Sequence, residues 1–270
     1  MTHLVLLNDS PLELVDPLLL TATSYGHFTS VQVRDGQVRG LDLHLERLDR
    51  SSRELFGHGI SADRVLSYLR TALARSASGD LSLRVTAFTR DRAVLDGTPV
   101  EPDLLIAATD PIEPTSEPPR LLAVEHERTT PHVKHTGTFS LTHAIRRARL
   151  AGYDNALFYD RHGHVSEASV WNICFAVDDR IVWPAADVLP GITMLTLQAG
   201  LDAITVARET VDISLTDLAG YRAAYLTNSI DPALPVASIT TPAGTTQYEP
   251  DSQSAALISA AYEAIPPQKI

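Results

Sequence analysis

Lysine is nearly absent from this 270-residue chain: only Lys134 and Lys269 occur, and the other basic residues are Arg or His. Cysteine is rarer still, with Cys174 alone, so no internal disulfide can form and a reducing compartment is expected. Positive charge is also scarce, 22 Lys and Arg against 33 Asp and Glu, for a formal net charge of -11. Phosphate-backbone binding needs clustered cations that displace counterions, so this balance argues against nucleic-acid recognition. No stretch approaches the roughly 18 apolar residues of a membrane span. The opening MTHLVLLNDSPLEL has no basic start, long apolar run or small-residue cleavage site. Neither a Gly-x-Ser-x-Gly elbow nor a Walker-type loop is found, and there is no internal repeat. His162 and His164 flank Gly163 without further ligands at recognisable spacing, so no metal is expected. These absences leave an acidic cytoplasmic protein with no expected nucleic-acid, membrane or metal partner.

What is present is ordinary in bulk. With 44% hydrophobic and 20% charged residues, the chain can bury one large core or two of modest size. The clearest break is DPIEPTSEPPR (110–120), where prolines at 111, 114, 118 and 119 fix φ and remove donors. Before it, FTSVQVRDGQVRGLDL turns at Asp35-Gly36, a hairpin signal. A helix from Asp42 or Leu43 to Phe56 follows, with Leu45, Leu48, Ser52 and Leu55 at helical spacing. A second, over about 61–75, opens on Ser61 as N-cap and buries Val65, Leu66, Leu69 and Leu73. After the break come a strand in LLAVEHE and a helix over about 140–150 that ends at Gly152. Short strands follow in NALFYD, NICFAVD, RIVWP, AITVARE and AAYLTNS, with turns at Arg161-His162-Gly163 and Asp178-Asp179. A helix follows LPGIT, and the last lies near 252–263. Strict βαβ alternation is missing, so a mixed α+β protein is expected and a doubly wound sheet is not.

Lys134 stands in PHVKHTGTF, between a loop and a helix, where a rigid scaffold can carry chemistry. Taken singly, it reads as a solvated surface residue. Glu167 lies in GYDNALFYDRHGHVSE, just past a hairpin, and singly is a strand-end acid. LPGITM is a Pro-Gly turn into a helix, whose free N–H groups would face an anion; Thr193 there is also a simple cap. HLERL places Arg47 on an amphipathic helix, where Glu46 or Asp49 could be its surface partner. His44, on the same helix, is read as packing against or supporting Arg47 rather than reacting. Tyr153 and Asn172 are read as structural. LTNSIDPALPV adds a small hydroxyl loop before an apolar strand.

In this order the stretches resemble the fold type IV pyridoxal-phosphate enzymes, the class IV aminotransferase family. That family includes branched-chain aminotransferases, D-amino acid aminotransferases and 4-amino-4-deoxychorismate lyases. The resemblance implies a two-domain α+β fold like that of D-amino acid aminotransferase, with pyridoxal 5'-phosphate in the interdomain cleft. It implies a small N-terminal domain (1–110), a linker (111–120) and a larger cofactor-binding domain (121–270). Lys134 matches the lysine that forms the internal aldimine and moves the proton between Cα and C4′. Glu167 matches the acid facing the pyridine nitrogen, and Arg47 the arginine on the phosphate. Ile192 and Thr193 match the phosphate cup. Ser229 matches a further phosphate contact, with Asn228 beside it. Tyr25, His27, Thr29 and Phe139 are expected in the substrate pocket. A homodimer acting on small amine and keto substrates is also implied.

The chain departs from the pattern at several places. Phe139 stands where branched-chain enzymes carry a tyrosine whose hydroxyl meets the cofactor, which counts against a branched-chain substrate. Met194 replaces an arginine of many relatives, TSYGHF lacks their acidic residue, and FTRDRAVLDG lacks the Gly-rich loop of the lyases. The expected activity is transamination between an amino donor and a 2-oxo acid or ketone. Pyruvate elimination from an aminodeoxychorismate-like substrate is the alternative, and a cofactor-binding homologue without turnover the third reading.

Overall fold

The computed structural model describes residues 2–12, 25–76, 79–115 and 117–270. They fall into two units: 1–113 with 133–137 and 267–270, and 114–132 with 138–266.

In the first unit, β1 (Thr2–Leu7), β2 (Ser10–Pro11), β3 (Gly26–Val33), β5 (Leu81–Phe88) and β6 (Asp103–Thr109) form an antiparallel sheet, ordered β2-β1-β6-β5-β3; β4 (Gln37–Val38) closes the hairpin after β3. The expected turn is there. Asp35 and Gly36 take φ 51 and 68, and the flanking Arg34 and Gln37 exchange backbone bonds of 3.0 and 2.9 Å. Two successive positive φ angles suit the right-handed twist of the strands and select Asp-Gly. Helices α1 (Leu41–Phe56) and α2 (Ala62–Ala74) share a core with the sheet, built from Val31, Leu48, Phe56, Leu69, Val85 and Ile106 among others. The Ser61 hydroxyl caps α2 by accepting from Arg64 N–H.

The buried face of α1 differs from the expected stripe. Leu48 and Ser52 are buried as expected, but Leu45 and Leu55 are half-buried, and His44, Arg47 and Ser51 are buried with Leu41 and Phe56. The cause lies on β3, whose His27 and Thr29 give Ser52, His44 and Arg47 polar partners. On α2, Leu66 and Leu73 are likewise only half-buried, and Ala72 joins Val65 and Leu69 inside.

The second unit holds two five-stranded sheets. Strands β7 (Arg120–Glu125), β8 (Asn155–Tyr159) and β9 (Val165–Ala168) pair in sequence, and β15 (Ser238–Thr241) and β16 (Gly244–Gln247) extend them beyond β7. The other sheet runs β12-β11-β10-β13-β14, from β10 (Asn172–Val177), β11 (Arg180–Pro184), β12 (Arg208–Val211), β13 (Ala223–Thr227) and β14 (Leu234–Pro235). Parallel pairs β7–β8, β7–β15 and β11–β12 mix with antiparallel ones, which is not a doubly wound sheet. Helix α3 (Phe139–Leu150) packs on β7 and β8, and α4 (Ile192–Ala203) packs on α5 (Ser252–Ala264). AITVARE is not all strand: α4 runs through Ala203, Thr205 takes φ 59, and β12 starts only at Arg208. The proline-rich stretch 110–120 stays irregular up to β7, with Ser116 outside the described residues. Among the described residues no helix is long and apolar enough to cross a membrane.

Candidate active site

Lys134 is carried by a five-residue segment that packs with the first unit. Its carbonyl accepts from Phe28 N–H at 2.9 Å, and Thr136 N–H donates to Gly26 O at 2.8 Å, so the segment ladders onto the start of β3. The Lys134 Nζ lies 4.9 Å from the Phe28 ring centroid, and the Arg84 guanidinium 3.7 Å from it. The sequence reading missed Arg84; a lone Arg in the strand LSLRVTAF carries no local signal.

Arg47 is 5% exposed, on the face of α1 toward β3. Its Nη2 donates to Thr29 Oγ1, its Nε has no hydrogen-bond partner, and among the described residues no carboxylate pairs with it. Burial, then the nearby Arg50, lowers its pKa to about 10. Such a buried, unneutralised cation suits an anionic ligand. His44 is buried with its Nδ1 2.6 Å from Thr29 Oγ1. Burial, with the cations of Arg47 and Lys134, holds its pKa well below the usual imidazole range. His27 bonds Ser52 through Nε2 at 2.7 Å, and burial followed by Arg47 lowers it to about 4. Tyr25 donates to Leu55 O and sets its ring edge-on to Phe56. Four expected residues, Lys134, Arg47, Thr29 and His27, thus gather around β3.

In the second unit Glu167, on β9, is 4% exposed. One oxygen accepts from Arg128 Nη1 at 3.0 Å and the other from Leu189 N–H at 3.1 Å. These contacts, one of them from a cation, fix the orientation of the carboxylate. Leu189 is held at both ends, because its carbonyl accepts from Asn172 Nδ2 at 2.8 Å. The chain then reaches Gly191, the N-cap of α4, which has no side-chain cap. A Cβ at Gly191 would lie 2.0 Å from Asn172 Oδ1, so only glycine permits this approach. The first N–H groups of α4, at Ile192 and Thr193, have no intrahelical acceptor and point their partial positive charge out of the helix start. Thr227 pairs in register with Asn172, and its buried hydroxyl has no partner. Asn228 and Ser229 follow; the Asn228 side-chain oxygen accepts from Ile230 and Asp231 N–H within its own turn.

The sequence reading missed Arg128; Asn172, read as structural, ties down the Leu189 carbonyl. Arg128 stands in the irregular stretch EHERTTPH, where no periodicity marks it. Phe139 opens α3, is 80% exposed, and stacks on His143 one turn later. A surface groove lined by Arg180, Val182, Glu209 and Tyr221 contains none of the expected residues. Among the described residues no group of three or more His, Cys, Asp or Glu could hold a metal ion.

The whole fold is similar to that of the branched-chain amino acid aminotransferase of Escherichia coli. The two share 17% identity and a TM-score of 0.82, over 98% of this chain and 95% of that one. The branched-chain enzyme of Thermobaculum terrenum in its PLP form gives 17% identity and a TM-score of 0.80, over 98% and 94%. A Legionella pneumophila protein with the provisional name 4-amino-4-deoxychorismate lyase gives 19% and 0.78, over 94% and 96%. At these identities the likeness carries the fold alone: that of the fold type IV enzymes. Residues 26–239 match the family model for amino-transferase class IV, and the chain belongs to that family. No curated protein matches it in sequence.

Proposed function

We propose that this chain is a pyridoxal-phosphate-dependent aminotransferase, which moves an amino group between an amino donor and a 2-oxo acid or ketone and is attached to its cofactor through Lys134. The observation that carries the reading is Arg47, a buried guanidinium with no carboxylate partner among the described residues, in the same unit as Lys134. Glu167, buried between two donors, and the uncapped turn at Gly191 also fit such a cofactor.

When bound, pyridoxal 5'-phosphate supplies an aldehyde carbon that takes up an amine and a ring that draws electrons from the donor's Cα. Lys134 Nζ, a primary amine, would be the group that holds that carbon, a role an obligately protonated guanidinium cannot fill. The same Nζ would take up the proton lost from the donor's Cα. Glu167 would accept a hydrogen bond from the protonated ring nitrogen, with Arg128 and Leu189 N–H fixing its carboxylate. Arg47 would hold the phosphate by charge-assisted bonds. The N–H groups of Ile192 and Thr193, the Thr193 hydroxyl, Ser229 and Asn228 would complete that hold. Tyr25, His27, Thr29 and Phe139 are assigned to the substrate pocket. Homodimeric assembly and residence in the cytoplasm belong to the same proposal.

The test is incubation of the purified chain with pyridoxal 5'-phosphate, borohydride reduction and peptide mass spectrometry, followed by a panel of amino donors with a 2-oxo acid acceptor. The expected result is an adduct on the Lys134 peptide and acceptor-dependent transfer, both lost in Lys134→Ala. Absence of an adduct removes the reading. Pyruvate release without an acceptor replaces transfer by elimination.

A further inference from the structure

Thr29 and His44 form a buried polar cluster with Arg47, and the chemistry above gives neither a part in the phosphate hold. Hydrogen-bond accounting sets its direction. A guanidinium only donates, so Thr29 Oγ1 is the acceptor in its contact with Arg47 Nη2. The hydroxyl proton then needs an acceptor of its own, since a buried unsatisfied donor is costly. His44 Nδ1, at 2.6 Å, is the partner that the structure provides. Nδ1 is therefore bare and the imidazole proton sits on Nε2. A neutral ring agrees with the burial of His44 beside two cations.

Thr29 grips Arg47, and His44 holds Thr29, without neutralising the guanidinium. An acid at position 29 would pair with the guanidinium and spend its charge inside the protein. A hydroxyl fixes one Nη by a neutral contact and leaves the full charge, and the unpartnered Nε, for a ligand. We propose that Thr29 and His44 are positioning residues, a neutral clamp that orients the Arg47 guanidinium toward a phosphate monoester. This rests on the assignment of Arg47 to the cofactor phosphate.

The experiment compares the affinity of the full chain for pyridoxal 5'-phosphate and for pyridoxal, which lacks the phosphate. Thr29→Val keeps the shape and removes the hydroxyl. Losing one hydrogen bond to a charged group predicts about tenfold weaker binding of the phosphate form, with pyridoxal unaffected and Thr29→Ser restoring the difference. Independently, ¹⁵N spectra of the ligand-free, histidine-labelled wild type should show His44 bare at Nδ1, with that signal shifting in Thr29→Val. Wild-type chain that binds the two aldehydes equally removes the assignment of Arg47, and the clamp with it. If the wild type discriminates, three results overturn the clamp alone: undiminished discrimination in Thr29→Val, equal loss of both ligands, or a proton on His44 Nδ1.

Discussion

Arg47 should cost the ligand-free chain stability, and removing it should show this. Burial first, and then Arg50, brings its pKa down from the ordinary guanidinium range to about 10. At 1.36 kcal/mol per pH unit, this corresponds to about 3 kcal/mol against the charged form in the folded chain. A depressed group contributes its stability above the unfolded value and loses it as pH falls through the folded one, so at pH 7 the whole cost is present. Arg47→Met keeps an unbranched side chain of comparable reach and removes the charge. Thr29 keeps His44 as a partner, and imperfect repacking costs about 1 kcal/mol. The ligand-free variant should therefore be about 1–2 kcal/mol more stable than wild type. Native-state hydrogen exchange at the β3 and α1 amides reads this unit separately. Saturating pyridoxal 5'-phosphate should reverse the order, since a ligand at about 100 times its Kd adds about 2.7 kcal/mol to the chain that binds it. A ligand-free variant less stable than wild type by 1 kcal/mol or more would refute the reasoning, as would equal stabilisation of both chains by the cofactor.

His27, lowered to about 4 by burial and then Arg47, stabilises the fold above its unfolded value of 6.5 and loses this as pH falls toward 4. Between pH 7 and pH 5 the wild type should lose about 2 kcal/mol that His27→Gln does not; equal losses in urea unfolding of the two chains would exclude it. Gly191→Ala would drive a Cβ into Asn172 Oδ1 and strain its bond to Leu189 O. A loss of about 1–3 kcal/mol is expected in thermal unfolding, and an unchanged melting temperature would contradict the packing argument.

Local rules were readable where one residue type answers one backbone demand. Asp35-Gly36 and Gly152 mark their turns because left-handed φ angles favour those residues. The Ser61 cap is equally local. The α1 face was misread because helical spacing weighs Leu45 and Leu55 by hydrophobicity and cannot see His27 and Thr29 opposite. Arg128 and Glu167 are 39 residues apart, and neither carries a mark of the other. Asn172 resembles any polar residue at a strand start until Leu189 is folded back against it. Motif order could bring out the family, but the partners that hold each motif residue come only from tertiary contact.

The segment around Lys134 shows how much depends on one such contact. In sequence it lies between β7 and α3, yet its backbone bonds go to Gly26 and Phe28 on β3. The next residue, Thr29, is the one that bonds Arg47 and His44. The primary amine and the buried cation are therefore referred to a single strand. That strand is in turn fixed by eight successive antiparallel pairs with β5, from Gly26–Phe88 to Val33–Leu81. A slip of one residue in this ladder would exchange the two faces of β3, taking Thr29 from Arg47. The Phe28 amide would leave Lys134 in the same step. Precision at the amine thus comes from a sheet register specified by buried residues such as Val31, Val33, Leu83 and Val85, none of which has any chemistry of its own.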